Sequence, residues 1–413
     1  MKISCISINT NILLGKEQDK IIEFLSKKLL ELGVTFNKIV VSQSSPEQIK
    51  NAISFANENV VIIIGDKSSV RNYQIKSSLS RLFGLSLSQN QTAIASVENF
   101  YKKNNIPPQL ESQNEHYIPS SAKVLASSVS AELGFMLTTD KTYIFLPNNI
   151  YAVKEIFNNF LIEEFTKKVK TEYDNITIKT FGISEKDILF LLQNLLNNKY
   201  KIFITTYPVN LDVAINIRFD KKIDNVILQS FMSEVYSKLK KYIYANEDNS
   251  IFQTALDLLK LTKKRLILGE SITQGNLVNS FLNTSKEASE YLTKATIYPN
   301  ADALVKYGNI SKEIVNRHGF SSVETAYEMA VNLLDKNSKD FVVCTCGEWV
   351  GDQLHTTQLT CYIAVGDEDG IHVYKNTYSG EFSAVIDNIS KSSIFYLIKK
   401  IKQKDLYSGQ TTV

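Results

Sequence analysis

The strongest constraint on this chain lies near its start, where short apolar runs alternate with segments of helical period. Residues 2–8 form an apolar run. Ile22, Leu25, Leu29 and Leu32 then recur at three- and four-residue steps, and Gly33 closes the helix that this spacing predicts. Residues 34–41 make a second β-rich run. Ser45-Pro46-Glu47 offers a helix N-cap with proline at the first helical position, and residues 60–64 supply a third strand. The order βαβαβ predicts a parallel sheet, because each parallel pairing needs a crossover whose helix covers a face of the sheet. Ligands in such sheets bind beyond the carboxyl ends of the strands, so the loops 9–15 and 65–73 are the places to look.

With 413 residues the chain exceeds one ordinary domain, and two or three compact units are expected. A composition of 44% hydrophobic and 22% charged residues, with only 16 Gly and 7 Pro, leaves little room for disordered tracts. The net charge of +3 is too small over this length to imply a nucleic-acid or membrane-surface partner. No run approaches the roughly 18 apolar residues of a membrane span, and the N-terminus reaches Asn9 before any export-length apolar region, so a cytoplasmic location is expected. Four Cys and four His lie scattered, without CxxC pairs or two His on one helical face, which calls for no metal, disulfide framework or cofactor.

In the middle, residues 157–170 read as a helix, 176–181 as a half-buried strand and 227–244 as an amphipathic helix. Lys238, Lys240 and Lys241 on that helix read as a solvated face, and the polar segment 245–250 as a hinge. Residues 252–261 are again helical in pattern, and 265–268 form a strand that runs into Gly269-Glu270-Ser271-Ile272-Thr273-Gln274-Gly275 before another helix. A hydroxyl at a strand-to-helix turn sits beside unpaired helix N–H groups, which can hydrogen-bond the oxyanion formed when it attacks an amide. The same position suits a plain helix cap, the commoner case, and spacing leaves both readings open. Cys344 and Cys346 have one residue between them, a poor disulfide geometry and an incomplete zinc site.

Thr10-Asn11-Ile12-Leu13-Leu14-Gly15, Phe83-Gly84-Leu85, His116-Tyr117-Ile118-Pro119, Gly134-Phe135 and Leu146-Pro147 fall in step with segments of one family. So do Phe181-Gly182-Ile183-Ser184-Glu185, the strand 213–219, and His318-Gly319-Phe320-Ser321-Ser322. The loop Gly269 to Gly275 lies where that family has A-E-S-C-T-G-G. On these segments the chain resembles the competence/damage-inducible protein A (CinA) family over nearly its whole length. The resemblance implies an α/β protein in three parts: a parallel-sheet, three-layer αβα molybdopterin-binding-like domain over 1–170, a small α+β domain over 171–248, and an αβα CinA C-terminal domain over 249–413. It also implies a homodimer.

Two functional loops depart from the family pattern in the first domain. The stretch T-G-G-L-G-P-T-x-D-D corresponds to residues 64–73, where Lys67, Asn72 and Tyr73 replace phosphate-cradling glycines and cation-holding carboxylates. Asn11 replaces the acidic residue of the first loop. The metal-dependent ADP-ribose pyrophosphatase activity that the family implies is therefore not expected here. Asp66, the one carboxylate left in the loop, reads as a solvated turn residue.

For the last domain the resemblance implies a metal-independent amidohydrolase that converts nicotinamide mononucleotide to nicotinate mononucleotide and ammonia, in pyridine-nucleotide salvage. It assigns Ser271 as nucleophile and Tyr298 as its hydrogen-bond or proton-transfer partner. Thr273, Gly275, Asn300, Thr345 and Gly347 are assigned to substrate binding. The family's T-Y-S-N-E-A-K stretch is Ile297 to Ala303 here, so the lysine that helps activate the serine is Ala303. Lys306, three residues on, is either a displaced catalytic lysine or a surface lysine. The nucleotide loop V-T-G-I-A-G-P-x-G has become Cys344-Thr345-Cys346-Gly347-Glu348-Trp349-Val350-Gly351, whose Trp349 either stacks on a ligand ring or packs at home. Two functions follow as expectations: an amidohydrolase of this kind, or a catalytically silent member that binds nucleotide or protein.

Overall fold

The computed structural model describes residues 2–168, 173–209, 211–334, 339–348 and 357–407. The chain divides into two compact units, Met1–Asp174 and Asn175–Val413.

The first unit is built on a six-stranded sheet of order β2-β1-β3-β8-β7-β6. Its strands are β1 Ile3–Ile8, β2 Phe36–Ser42, β3 Val60–Ile64, β6 Lys123–Leu125, β7 Gly134–Thr138 and β8 Thr142–Leu146, while β4 Leu87–Gln89 and β5 Tyr117–Pro119 pair separately. β2, β1, β3 and β8 run parallel, as the βαβαβ order predicts; β7 and β6 continue the sheet antiparallel. Alternate residues feed two cores. Cys5, Ile62 and Ile64 meet Leu25 and Leu29 of helix Lys20–Glu31, together with Val153 and Phe157. Ile6, Ile8, Val61 and Ile63 meet Ile49 of helix Pro46–Phe55 and Ile75 and Leu79 of helix Ser69–Leu82. The period-2 alternation of a strand thus puts helices on both faces, which makes three layers. Each fully buried Ile or Leu here contributes about 1.5–3 kcal/mol.

Sequence spacing places several element ends well. Ser45 accepts from the Gln48 N–H as N-cap with Pro46 behind it, and Gly33 takes φ +73° just past its helix. The segment read as a helix from 157 begins earlier, as α-helix Ile150–Ile156, passes through a π turn at Phe157–Leu161, and resumes at Ile162–Lys168.

The second unit holds two sheets. One has order β10-β11-β9-β12, with β9 Tyr173–Phe181, β10 Phe203–Val209, β11 Asp212–Asp220 and β12 Ile243–Ala245. The helix expected over 227–244 stops at Leu239, because its last residues pair with β9 as β12. Tertiary pairing overrides the helical periodicity there. The other sheet has order β14-β13-β15-β16-β17, with β13 Leu266–Glu270, β14 Leu292–Ile297, β15 Phe341–Gly347, β16 Thr357–Asp367 and β17 Gly370–Gly380. β14, β13 and β15 are parallel; β16 and β17 are antiparallel. Leu266, Leu268 and Val343 face helices Ile251–Thr262, Asn276–Leu282 and Phe382–Tyr407, while Ile267, Val342 and Cys344 face Leu304, Met329 and Ala330. Phe181 and Tyr244 of the smaller sheet extend into the core of the larger one, with the rings of Phe181 and Phe395 5.4 Å apart. Among the described residues no helix is long and apolar enough to cross a membrane.

Candidate functional site

Ser271 is the first residue after β13, at the carboxyl end of a strand flanked on both sides by parallel neighbours. A close approach fixes the strand's path. A side chain on Gly269 would come within 2.5 Å of Leu333 Cδ1 and 2.9 Å of Cys344 Sγ. The next residues turn sharply: Gln274 and Gly275 both take positive φ, 51° and 91°, before helix Asn276–Leu282 starts. Glycine at 275 meets that conformational demand, and a Cβ there would also press on Ile297 Cδ1 at 3.0 Å.

The turn gathers three of the expected residues. Ser271 Oγ donates to the carbonyl oxygen of Thr345 at 3.2 Å, and the Ser271 N–H donates to the same oxygen at 3.0 Å. Thr273 and Thr345 share a hydrogen bond between their hydroxyls at 2.8 Å. Ser271, Thr273 and Thr345 are all buried. At Gly347 a Cβ would lie 3.3 Å from Ile272 Cβ, so the end of β15 passes close under the turn.

Sequence reading missed the role of Glu270. Its side chain is fully buried, and its carboxylate accepts the N–H groups of Gly275 at 3.0 Å, Leu277 at 3.1 Å and Val278 at 2.8 Å. Those are the helix N-terminal donors that seemed free to hold an oxyanion, and a charged carboxylate there is favoured by the helix dipole as well. The available signal was an acidic residue just ahead of an uncapped helix start. The N–H groups of Ile272 and Thr273, directly after the serine, have no acceptor among the described residues.

The segment Ile297 to Ala303, expected to supply a partner for the serine, does not converge on Ser271 in the same way. Tyr298 is 3% exposed and belongs to the core with Leu304, Ile310 and Met329. Its ring packs on Gly308, where an added Cβ would stand 3.2 Å from Tyr298 Cε1, and its N–H donates to the Glu270 carbonyl at 2.7 Å. Burial pushes the Tyr298 hydroxyl pKa up, the neighbouring Cys344 adds to this, and a hydrogen bond with Thr296 opposes it. The hydroxyls of Ser271 and Tyr298 are not hydrogen-bonded to each other. Asn300 caps helix Ala301–Gly308, accepting the Ala303 N–H at 2.9 Å.

Lys306, considered as a stand-in for the lysine missing at Ala303, lies away from Ser271 and Tyr298. That helix buries Leu304 and Gly308, four residues apart, and a residue two positions from each lies on the far face. Lys306 is accordingly exposed, with Nζ over the Tyr307 ring at 5.1 Å and no hydrogen bond to Ser271 or Tyr298. Trp349 lies outside the described residues. Cys344, Cys346 and Cys361 are buried free thiols, and burial raises the pKa of each, so none is poised as a nucleophile.

The corresponding loop of the first unit is closed on itself. Asn72 fills it, accepting the Asp66 N–H at 2.7 Å and donating to the Asp66 carbonyl at 2.8 Å; a Cβ on Gly65 would meet Asn72 Oδ1 at 2.4 Å. Asp66 is not the solvated turn residue that sequence suggests. It is buried, accepts from the Ser68 N–H and forms an ion pair with Arg71 at 3.2 Å. Beside it lies a cavity of about 580 Å³ lined by Asn9, Lys16, Glu17, Asp19, Lys67 and Asn148. Lys67 pairs with Glu17 at 2.7 Å, and that hydrogen bond holds the Glu17 carboxyl below the usual range. Among the described residues no group of three or more His, Cys, Asp or Glu is placed to hold a metal ion.

Comparison with known proteins agrees with this architecture. Residues 4–167 match the model of a domain described as "Probable molybdopterin binding domain", and residues 248–401 match the CinA C-terminal domain. A protein of Caldicellulosiruptor bescii named as a competence-damage inducible protein is 24% identical over 97% of this chain and 99% of its own. A CinA-like protein of a Sulfurihydrogenibium species is 24% identical over 95% and 97%. A solved structure of a CinA superfamily protein from Klebsiella pneumoniae is 18% identical, covering 37% of this chain and 96% of its own with a TM-score of 0.34. With both domain models met in order along one chain, and relatives matched over nearly their full length, the chain belongs to the competence/damage-inducible protein A (CinA) family.

Proposed function

We propose that the turn formed by Ser271, Thr273 and Thr345 is the floor of a nicotinamide-nucleotide site whose serine is not activated, so that the protein binds this class of ligand with little or no turnover. One observation carries the reading. The Ser271 hydroxyl donates to a backbone carbonyl, which cannot take up a proton, and among the described residues no basic side chain hydrogen-bonds it. A serine hydroxyl is a poor nucleophile until a base removes its proton during attack, and that step is worth about 10²–10⁴ in rate. Family membership and the hydroxyl cluster support the ligand class.

Amide hydrolysis at Ser271 is the second reading, and it is favoured by the two N–H groups of Ile272 and Thr273. Among the described residues they have no acceptor, and they directly follow the serine, as oxyanion donors require. Calorimetry with nicotinamide mononucleotide, run beside an ammonia-release assay without added metal, separates the two. Binding that survives Ser271→Ala, with ammonia release no greater than in that variant, is expected. Ammonia release that Ser271→Ala abolishes overturns the silent reading in favour of the hydrolase, and absence of binding overturns the ligand assignment itself.

A further inference from the structure

The second unit carries a lysine-lined cavity of about 750 Å³, away from the serine turn. Lys238, Lys240 and Lys241 reach it from the end of helix Asn225–Leu239 and the residues that follow, and Lys399 and Lys402 from helix Phe382–Tyr407. Tyr236 and Ile243 add an apolar wall, and among the described residues no carboxylate lines it. The helix dipole accounts for lysines at the end of the first helix. It does not account for two more brought to the same cavity by a helix about 160 residues later in the chain.

The charges there are poorly compensated. Lys238 has a loose pairing with Glu234 at 3.6 Å, and the Lys402 amine donates to the Tyr244 carbonyl at 2.9 Å. Lys240, Lys241 and Lys399 pair with no carboxylate among the described residues; Lys241 lies over the Tyr242 ring at 4.8 Å and Lys399 over the Phe395 ring at 4.5 Å. Desolvation, and then the charge of Lys241, holds Lys399 below the usual lysine range, and desolvation does the same to Lys402. Lys241 and Lys399 thus repel each other, a cost that a bound anion with several charges removes.

We propose that this five-lysine cavity binds a small anion carrying two or more linked phosphates, its phosphates on Lys240, Lys241 and Lys399 and any attached apolar group against Tyr236. The volume suits a ligand of nucleotide size.

The test is calorimetry of the full chain with inorganic tripolyphosphate, beside a single-stranded oligothymidylate. Saturable tripolyphosphate binding is expected, weakened about tenfold or more by Lys241→Gln combined with Lys399→Gln. Lys399→Arg alone keeps the charge and retains the binding, which guards against loss through misfolding, and Lys67→Gln in the other unit leaves it unchanged. No saturable binding overturns the proposal, as does binding equal in the double glutamine variant. Tighter oligothymidylate binding that depends on the same lysines also overturns it, in favour of a nucleic-acid site.

Discussion

Each αβα region buries a glutamate near its strand ends, and the two are neutralised in different ways. In the first unit Glu115 meets Lys76 at 2.7 Å, and the two side chains are 3% and 0% exposed. Its Oε2 also accepts the Leu133 N–H, while Oε1 has no partner. In the second unit Glu270 has no cation among the described residues; both its oxygens are taken by N–H groups at the start of the helix it precedes. The backbone solution spends the helix's donors on the protein itself, yet leaves the Ile272 and Thr273 N–H groups beside Ser271. In the first unit Asn72, Asp66 and Arg71 bond one another across the loop, while the N–H groups of Lys67, Ser69 and Val70 have no acceptor among the described residues.

Removing the cation is the harshest way to break this comparison. Lys76→Met leaves Glu115 charged and buried, and destabilisation of the first unit by about 3–5 kcal/mol is expected in urea unfolding followed by hydrogen exchange. Combining it with Glu115→Leu should recover most of that loss; no recovery would mean that packing around Phe145, rather than the charge, sets the cost. Next comes Glu270→Gln, which puts an amide donor against backbone donors and should cost about 2–3 kcal/mol. Hydrogen exchange should then speed up at Gly275, Leu277 and Val278 while the first unit keeps its protection. Unchanged exchange at those amides would remove Glu270 from the role given to it.

The mildest change sharpens the comparison through pH. Burial, and then the nearby charge of Glu115, raises the Glu132 pKa, and its Oε2 has no partner. An acid with a raised folded-state pKa weakens the fold as pH rises above its unfolded value of about 4.3. Glu132→Gln should therefore stabilise the first unit at neutral pH, with the gain vanishing once the pH falls below that unfolded value. A gain that persists at low pH would point to the amide's hydrogen bonds instead of the removed charge.

Much of the frame is legible from residues close in sequence. The N-cap at Ser45, the turn at Gly33 and the parallel core strands follow from local pattern, and so does a serine placed after a strand and before a helix. The Glu270 cap also spans only five to eight residues, and its signal was present in the sequence. The fate of Lys306 needed the buried partners of its own helix: Ala303 and Lys306 share a face, as spacing says, but Leu304 and Gly308 turn the opposite side toward Tyr298. Likewise the end of the 227–244 segment left its helix because β9 offered strand pairing that no local window contains.

By itself, the sequence determined the family, the order of elements and the loss of glycines and acids in the first loop, because these depend on residue identity and short-range periodicity. Which groups answer one another depends on packing in three dimensions. Lys76 and Glu115 are 39 residues apart, Ser271 and Thr345 are 74 apart, and the lysines of the basic cavity lie on two helices that meet only in the folded chain. Desolvation and hydrogen-bond geometry act on neighbours in space, and those neighbours are set by how the sheets and helices pack.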